Sequence, residues 1–250
     1  MKHTDPSQSP PVEIWDANAH FGALPFKDAD CSLDALLGLM SRHGITRAAA
    51  YSLKGVYYDF HEGNEDALAA AKEHDCLLAV ATVDPRRHLG CVEEVSLRAE
   101  HGCRAVRFFP DAQGWPVNFL PLRPILEEAD RCGMAVMMPA EAPGMATQAV
   151  EAIAGLELPL ILVGGGYNTM AELIAAARER PNVYIETHRL ATPEGIDVVA
   201  EAIGHERLVF GSGAPEVYPA SALALVEHSG LSPAQKRDVL CENLKRALRL

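Results

Sequence analysis

Short β-branched runs alternate along this chain with longer segments whose apolar residues recur every three or four positions. The short runs predict strands at VEIWDAN (12–18), TRAAAYSL (46–53), CLLAVATV (76–83), CRAVRFF (103–109), MAVMMP (134–139), LPLILVG (158–164), NVYIET (182–187) and RLVFGS (207–212). Between them the helical spacing predicts SLDALLGLMSRH, NEDALAAAKEH, CVEEVSLRAEH, LRPILEEADRC, ATQAVEAIA, NTMAELIAAARER, PEGIDVVAEAI and PASALALVEHS. Gly44, Gly102, Gly133, Gly204 and Gly230 follow helical patterns, where a left-handed cap favours glycine. Thr192-Pro193-Glu194 offers an N-cap, a first-turn proline and a first-turn acid. Ser232 to Gln235 reads as a capping box that opens one last helix, SPAQKRDVLCENLKRALRL.

Eight strand–helix units in series are the sequence form of an α/β fold, a single closed parallel (β/α)8 TIM barrel, here with an extra C-terminal helix. An open doubly wound sheet competes, but it would carry a Gly-x-Gly-x-x-Gly turn after the first strand, where this chain has DANAHFG. The barrel is expected to span residues 12–250. The polar, proline-rich MKHTDPSQSPP, residues 1–11, reads as a flexible leader rather than a secretory signal. In such a barrel, catalytic groups gather where strands end and lead into helices.

Composition narrows the partners. A formal charge of −12 argues against nucleic acid or an anionic membrane as the main partner. No apolar run approaches the roughly 18 residues of a membrane helix. The six cysteines are scattered without a C-x-x-C pair and read as reduced, small buried hydrophobes, which places the chain in the cytoplasm. A small-molecule substrate is the expected partner.

The strand ends supply the chemistry. In IWDANAHFG, Asp16, Asn18 and His20 alternate, which on a regular strand puts all three on one face. The fourth strand ends near Arg107, the fifth leads to Glu141, and the sixth runs through GGGYN to Tyr167. The seventh gives Glu186, His188 and Arg189, and the eighth gives Ser212 and Glu216. GGGYN admits two readings, an anion cradle before a helix or a tight turn.

With DANAHFG, GCRAVRFFP, NVYIET, ERLVFGSGAP and ENLKRAL in this order, the chain resembles the amidohydrolase-related barrels, in the branch of amino-carboxymuconate-semialdehyde decarboxylase-like enzymes. The resemblance implies a metal-dependent hydrolase or carboxy-lyase. It also implies a metal centre built from Asp-x-His-x-His after the first strand, histidines after the fifth and sixth, and an aspartate after the eighth. In this chain those positions read Asn18 with His20, Pro139, Gly164 and Gly213. His20 alone keeps a histidine, and a zinc site needs at least three protein ligands. The extra helices of such barrels further imply a homodimer.

Three readings follow. The first is an enzyme without the usual metal centre, hydrolysing or decarboxylating a small carboxylated substrate. Asp16 with His20 would be its acid/base pair and Glu186 or His188 a second proton-transfer group. Arg107 would clamp a carboxylate, and Asn18, Glu141, Tyr167 and Ser212 would contact the substrate. The second is a non-catalytic protein that binds a small ligand or a partner. The third is a zinc or manganese site rebuilt from His20, His188, Glu141 and Glu186. Structural readings stand beside these: Arg107 as an ion-pair partner of Glu186 or Asp16, and Asp59 and Asn64 as organisers of the loop and helix after the second strand.

Overall fold

Eight parallel strands, each hydrogen-bonded to the next in chain order, form one sheet. They are β1 (Trp15–Phe21), β2 (Arg47–Ser52), β3 (Leu77–Thr82), β4 (Ala105–Arg107), β5 (Ala135–Pro139), β6 (Leu160–Val163), β7 (Val183–Glu186) and β8 (Leu208–Val209). The structure, a computed structural model, describes residues 13–250, so the expected leader at 1–11 lies outside the described residues. Among the described residues no helix is long and apolar enough to cross a membrane. All six cysteines are free thiols.

Strand parity divides the core in two. Ala135 and Met137 of β5, and Ile161 and Val163 of β6, fill the barrel interior with Trp15, Ala17, Ala49 and Val80. Their neighbours Val136, Met138, Leu160 and Leu162 face the helices, where Leu36, Leu126 and Leu173 meet them. A period of two on strands and of about 3.6 on helices produces this layering.

The helices follow the expected segments, with local differences. Asp59 caps Phe60–Glu73 by accepting the Glu62 amide at 3.1 Å, and Asn64 is buried and bonded to both the N–H and C=O of Thr82. The helix expected from Thr192-Pro193 begins later, at Gly195, where the adjacent Leu190 carbonyl would lie 2.7 Å from any added Cβ. Gly44, Gly102 and Gly133 follow their helices with positive φ as expected, whereas Gly204 combines φ 90° with ψ 140° and is not a left-handed cap. Gly230 is not left-handed; its N–H instead donates to Asp197. The Ser232–Gln235 capping box forms, but the last helix passes through a π turn at Asp238–Glu242 before resuming at Asn243–Ala247.

The decisive departure lies in β1. Asp16 pairs with Ala48 and Ala19 with Ala50, so three steps on β1 match two on β2. This bulge sets Ala17 and Asn18 together opposite Ala49 and reverses the strand's parity. Trp15 and Ala17 point into the barrel before it, and Ala19 and Phe21 pack outward after it. Asp16 therefore shares the parity of the outward-facing Ala48, and the one-face alignment of Asp16, Asn18 and His20 does not occur.

Closure of the barrel happens at this bulge. The Ala17 amide donates to the Phe210 carbonyl at 2.9 Å, Gly213 to Asn18 at 2.8 Å, and His20 to Ala214 at 2.9 Å. The fully buried Asp16 carboxylate adds a side-chain latch. Its Oδ1 accepts the Asn18 amide at 2.8 Å and the Ser212 amide at 2.9 Å, while Oδ2 accepts the Ser212 hydroxyl. Removing one donor from a buried carboxylate leaves it partly unsatisfied. Ser212→Ala is therefore expected to lower unfolding free energy by about 1–3 kcal/mol in urea titrations at neutral pH. An unchanged midpoint would mean that the main-chain bonds close the barrel unaided.

Candidate active site

At the strand ends a cavity of about 380 Å³ opens, lined by residues from β1, β2, β4, β5, β6 and the loops after β7 and β8. The bulge delivers Asn18 and His20 to it; β2 contributes Tyr51 and β4 Arg107.

Arg107 is held from three sides. Its Nη1 donates to Asn18 Oδ1, and its guanidinium lies 4.7 Å from the Tyr51 ring and 5.1 Å from the Phe109 ring. Cations over aromatic faces gain about 0.5–2 kcal/mol, more as water is excluded. No carboxylate pairs with Arg107 among the described residues, so the ion pair with Glu186 or Asp16 considered from the sequence is not formed.

His188 is organised by Glu186. The Glu186 carboxylate is fully buried; Oε1 accepts the His188 amide at 2.7 Å, and Oε2 meets His188 Nδ1 at 2.5 Å and the Gly164 amide at 3.3 Å. Burial alone would raise the Glu186 carboxyl, but the charge and hydrogen bonds of His188, with the Gly164 amide, outweigh it and hold it below its ordinary value. Burial opposes charge on His188 as well, yet Glu186 prevails and raises it above the ordinary histidine value. With Nδ1 bound, the imidazole turns its free edge to the cavity, which His188 lines and Glu186 does not.

His20 is the opposite case. Its ring is buried beside Tyr51, with ring centroids 5.6 Å apart, and neither nitrogen has a hydrogen-bond partner among the described residues. Burial, reinforced by the Arg107 charge, lowers its pKa to about 4, so it is neutral at physiological pH. The expected Asp16–His20 pair is absent because the bulge separates their faces. Burial pushes the Asp16 carboxyl up to about 6 against the hydrogen bonds from Ser212 and Asn18, and neither Asp16 nor Ser212 lines the cavity. Tyr167 is 77% exposed on a 3₁₀ turn and does not line the cavity either.

Glu141 does line the cavity, in an unforeseen arrangement. Its Oε2 accepts Arg189 Nη1 at 2.8 Å, and its side chain lies against Gly164, where an added Cβ would meet Glu141 Cγ at 2.9 Å. Sequence reading gave no site role to Tyr51, Phe109, Asp111, Arg189 or Glu216, all of which line the cavity. Phe109, two residues after Arg107 in RFF, was a signal for its packing; the Glu141–Arg189 contact, across 48 residues, left none.

These residues do not fit a metal centre of the kind the resemblance implies. Pro139, Gly164 and Gly213 offer no ligating side chain, Glu186 is engaged by His188, and Glu141 turns to Arg189. No group of three or more His, Cys, Asp or Glu side chains among the described residues is placed to hold a metal ion.

Comparison with known proteins places this geometry in a family. Among solved structures the barrel superimposes on 5-carboxyvanillate decarboxylase from Sphingomonas paucimobilis with a TM-score of 0.77 at 12% identity, covering 96% of this chain and 99% of that one. The 2,6-dihydroxybenzoate decarboxylase from Rhizobium gives 0.77 at 14% identity, with coverages of 95% and 98%. A 5-carboxyvanillate decarboxylase from Novosphingobium aromaticivorans, complexed with manganese and a nitrobenzoic acid, gives 0.73 at 13% identity, with coverages of 96% and 97%. At such identities the likeness is one of fold. No curated protein sequence matches the chain. The sequence profile of the amidohydrolases matches residues 3–250, and on that match the chain belongs to the amidohydrolase family.

Proposed function

We propose that this protein is a small-molecule enzyme of the decarboxylating or hydrolytic kind that acts on a carboxylated substrate without the metal centre usual in its family. One observation carries the reading: a guanidinium with no carboxylate partner among the described residues faces the same cavity as a histidine that a buried glutamate orients and favours in its protonated form. The aromatic carboxylates named for the structural neighbours favour decarboxylation of a planar carboxylic acid.

Arg107 anchors an anionic group of the substrate through the N–H groups that Asn18 leaves free, and the adjoining Tyr51 and Phe109 rings against which its guanidinium rests fix the direction of the fork. His188, as imidazolium, transfers a proton to the carbon that carries the departing carboxylate. The electrons of the breaking carbon–carbon bond fill that new C–H bond, carbon dioxide leaves, and neutral His188 takes back a proton from solvent. Glu186 is a positioning residue: it fixes the tautomer and supports the charge. Neutral His20 hydrogen-bonds the substrate from the β1 side.

Turnover and binding of a panel of hydroxybenzoates would test this. Arg107→Ala is expected to weaken binding about 10- to 100-fold, the worth of a hydrogen-bonded charge. His188→Gln is expected to lower kcat about 10²- to 10⁴-fold with little change in affinity. If neither substitution alters binding or turnover of a ligand that the wild type accepts, the assignment is wrong. Binding without turnover of any carboxylate would make the chain a binding protein.

The pH profile supplies an independent check. Glu186 raises His188 above its ordinary 6.5, so the protonated donor persists beyond that value and is lost as pH rises through the raised one. The value of kcat/KM should be level through mildly acidic pH and fall about tenfold per unit on the alkaline side. Glu186→Gln should move that limb to lower pH. Activity that instead rises on the alkaline side would make neutral His188 the working form.

A further inference from the structure

His20 lines the cavity and yet is only 5% exposed, with both ring nitrogens closed off from solvent and unpartnered among the described residues. A buried polar edge without a partner costs free energy, so what covers it on the β1 side bears on how a ligand reaches it. The cover there is the loop between β1 and the helix Leu33–His43. Leu24 and Ala29 of this loop are partly buried against the interior cluster that holds Tyr51, and Tyr51 is the ring beside His20.

The loop is anchored at its base alone. The Gly22 amide donates to the Cys31 carbonyl at 2.7 Å, which draws the two ends together, and Ser32 caps the following helix by accepting the Ala35 amide at 3.1 Å. Between these points the one main-chain hydrogen bond is local, from the Ala29 amide to the Lys27 carbonyl at 3.1 Å. No main-chain bond joins residues 23–30 to another element among the described residues. Side chains hold the tip. Lys27 Nζ donates to Glu216 Oε1 at 2.8 Å, and Phe26 meets the Tyr57 ring edge-on, with centroids 6.5 Å apart. Glu216 lines the cavity from the loop after β8, so this ion pair crosses from the first strand's loop to the last one's. Both tip contacts lie in solvent: Phe26 is 93% exposed, and each member of the ion pair is more than a third exposed. A loop with a closed base, few main-chain bonds and a weakly held tip opens locally while the barrel stays folded.

We propose that residues 23–30 are a strap over the His20 side of the cavity, and that the Lys27–Glu216 pair is the latch that sets how often it opens. Opening admits a ligand to His20, and closing excludes water around the two. The strap serves a binding protein as well as an enzyme, so it does not depend on the reaction carried out beneath it.

Carbethoxylation of His20 by diethyl pyrocarbonate, read by peptide mass spectrometry on the full chain, tests this without a known substrate. The reagent acylates neutral imidazole, and His20 is neutral at physiological pH. The exposed His101 and His228 serve as internal references. Where the strap closes faster than the reagent reacts, the rate reads the open fraction. In the wild type His20 is expected to react more slowly than the references. Lys27→Met, which keeps the apolar stem and loses the charge, should speed the reaction about two- to fivefold, the range for an exposed ion pair. Exchanging the charges, Lys27→Glu with Glu216→Lys, should bring the rate back toward the wild-type value. Added salt should speed the wild type and leave Lys27→Met unchanged, since salt screens an exposed pair. His20 reacting as fast as the references in the wild type overturns the strap. A rate that Lys27→Met leaves unaltered, or a gain that the charge exchange does not reverse, overturns the latch. Circular dichroism of each variant separates an opened strap from a lost fold.

Discussion

A single buried carboxylate holds the β1–β8 seam and, through it, one wall of the cavity. A β-bulge leaves an amide without its ladder partner, and an unpaired buried amide is costly. Asp16 removes that cost by accepting the Asn18 amide, then uses its remaining capacity on the amide and hydroxyl of Ser212. Burying a carboxylate is expensive unless it is fully hydrogen-bonded, and here three donors meet it. The two ends of the sheet are thereby fixed to each other at the level where the bulge turns Asn18 and His20 inward. Asn18 then orients Arg107, and His20 packs on Tyr51, whose face also receives Arg107. A latch with no contact to the cavity thus determines which groups reach it.

The site separates its titratable groups by environment. Asp16 and His20 are both moved toward neutrality, since burial raises the one and lowers the other. Glu186 and His188 are moved toward charge, because each offsets the desolvation of the other. One wall therefore presents an imidazole held neutral and the other an imidazole whose protonation is favoured, in a cavity that Arg107 also lines. The proton affinities of two histidines at one cavity are thus moved in opposite directions by their surroundings alone.

The barrel was legible in the sequence because strand and helix periods are global signals that survive local irregularity. All eight strands fall within or beside the expected runs, although β4 and β8 are much shorter than the apolar stretches around them. Residues that strand ends bring together were legible too: Arg107, His188, Asn18, His20 and Glu141 do line the cavity. Parity was not. A bulge inserts one residue, and nothing in WDANAH distinguishes a regular strand from one that reverses its faces between Ala17 and Asn18. The same slip misassigned Asp16, and with it Ser212, whose hydroxyl serves the latch rather than a ligand. Tyr167 was placed by its neighbours in GGGYN, but a short 3₁₀ turn carries it outward.

Gly164 and Gly213, which stand where the resemblance implies metal ligands, are set by the backbone as well as by their surroundings. Gly164 has φ +78° and Gly213 φ +74°, a region that residues with a Cβ enter at a cost. A side chain at Gly164 would also collide with Glu141, and one at Gly213 would press on Val217 at 3.2 Å, with the His188 ring 3.7 Å away. Placing a histidine at the first or an aspartate at the second would therefore require the loops after β6 and β8 to change course. The space such ligands would fill is already used by Glu141 and bordered by His188. Loop conformation, the Glu141–Arg189 pair and the Glu186–His188 pair are mutually consistent.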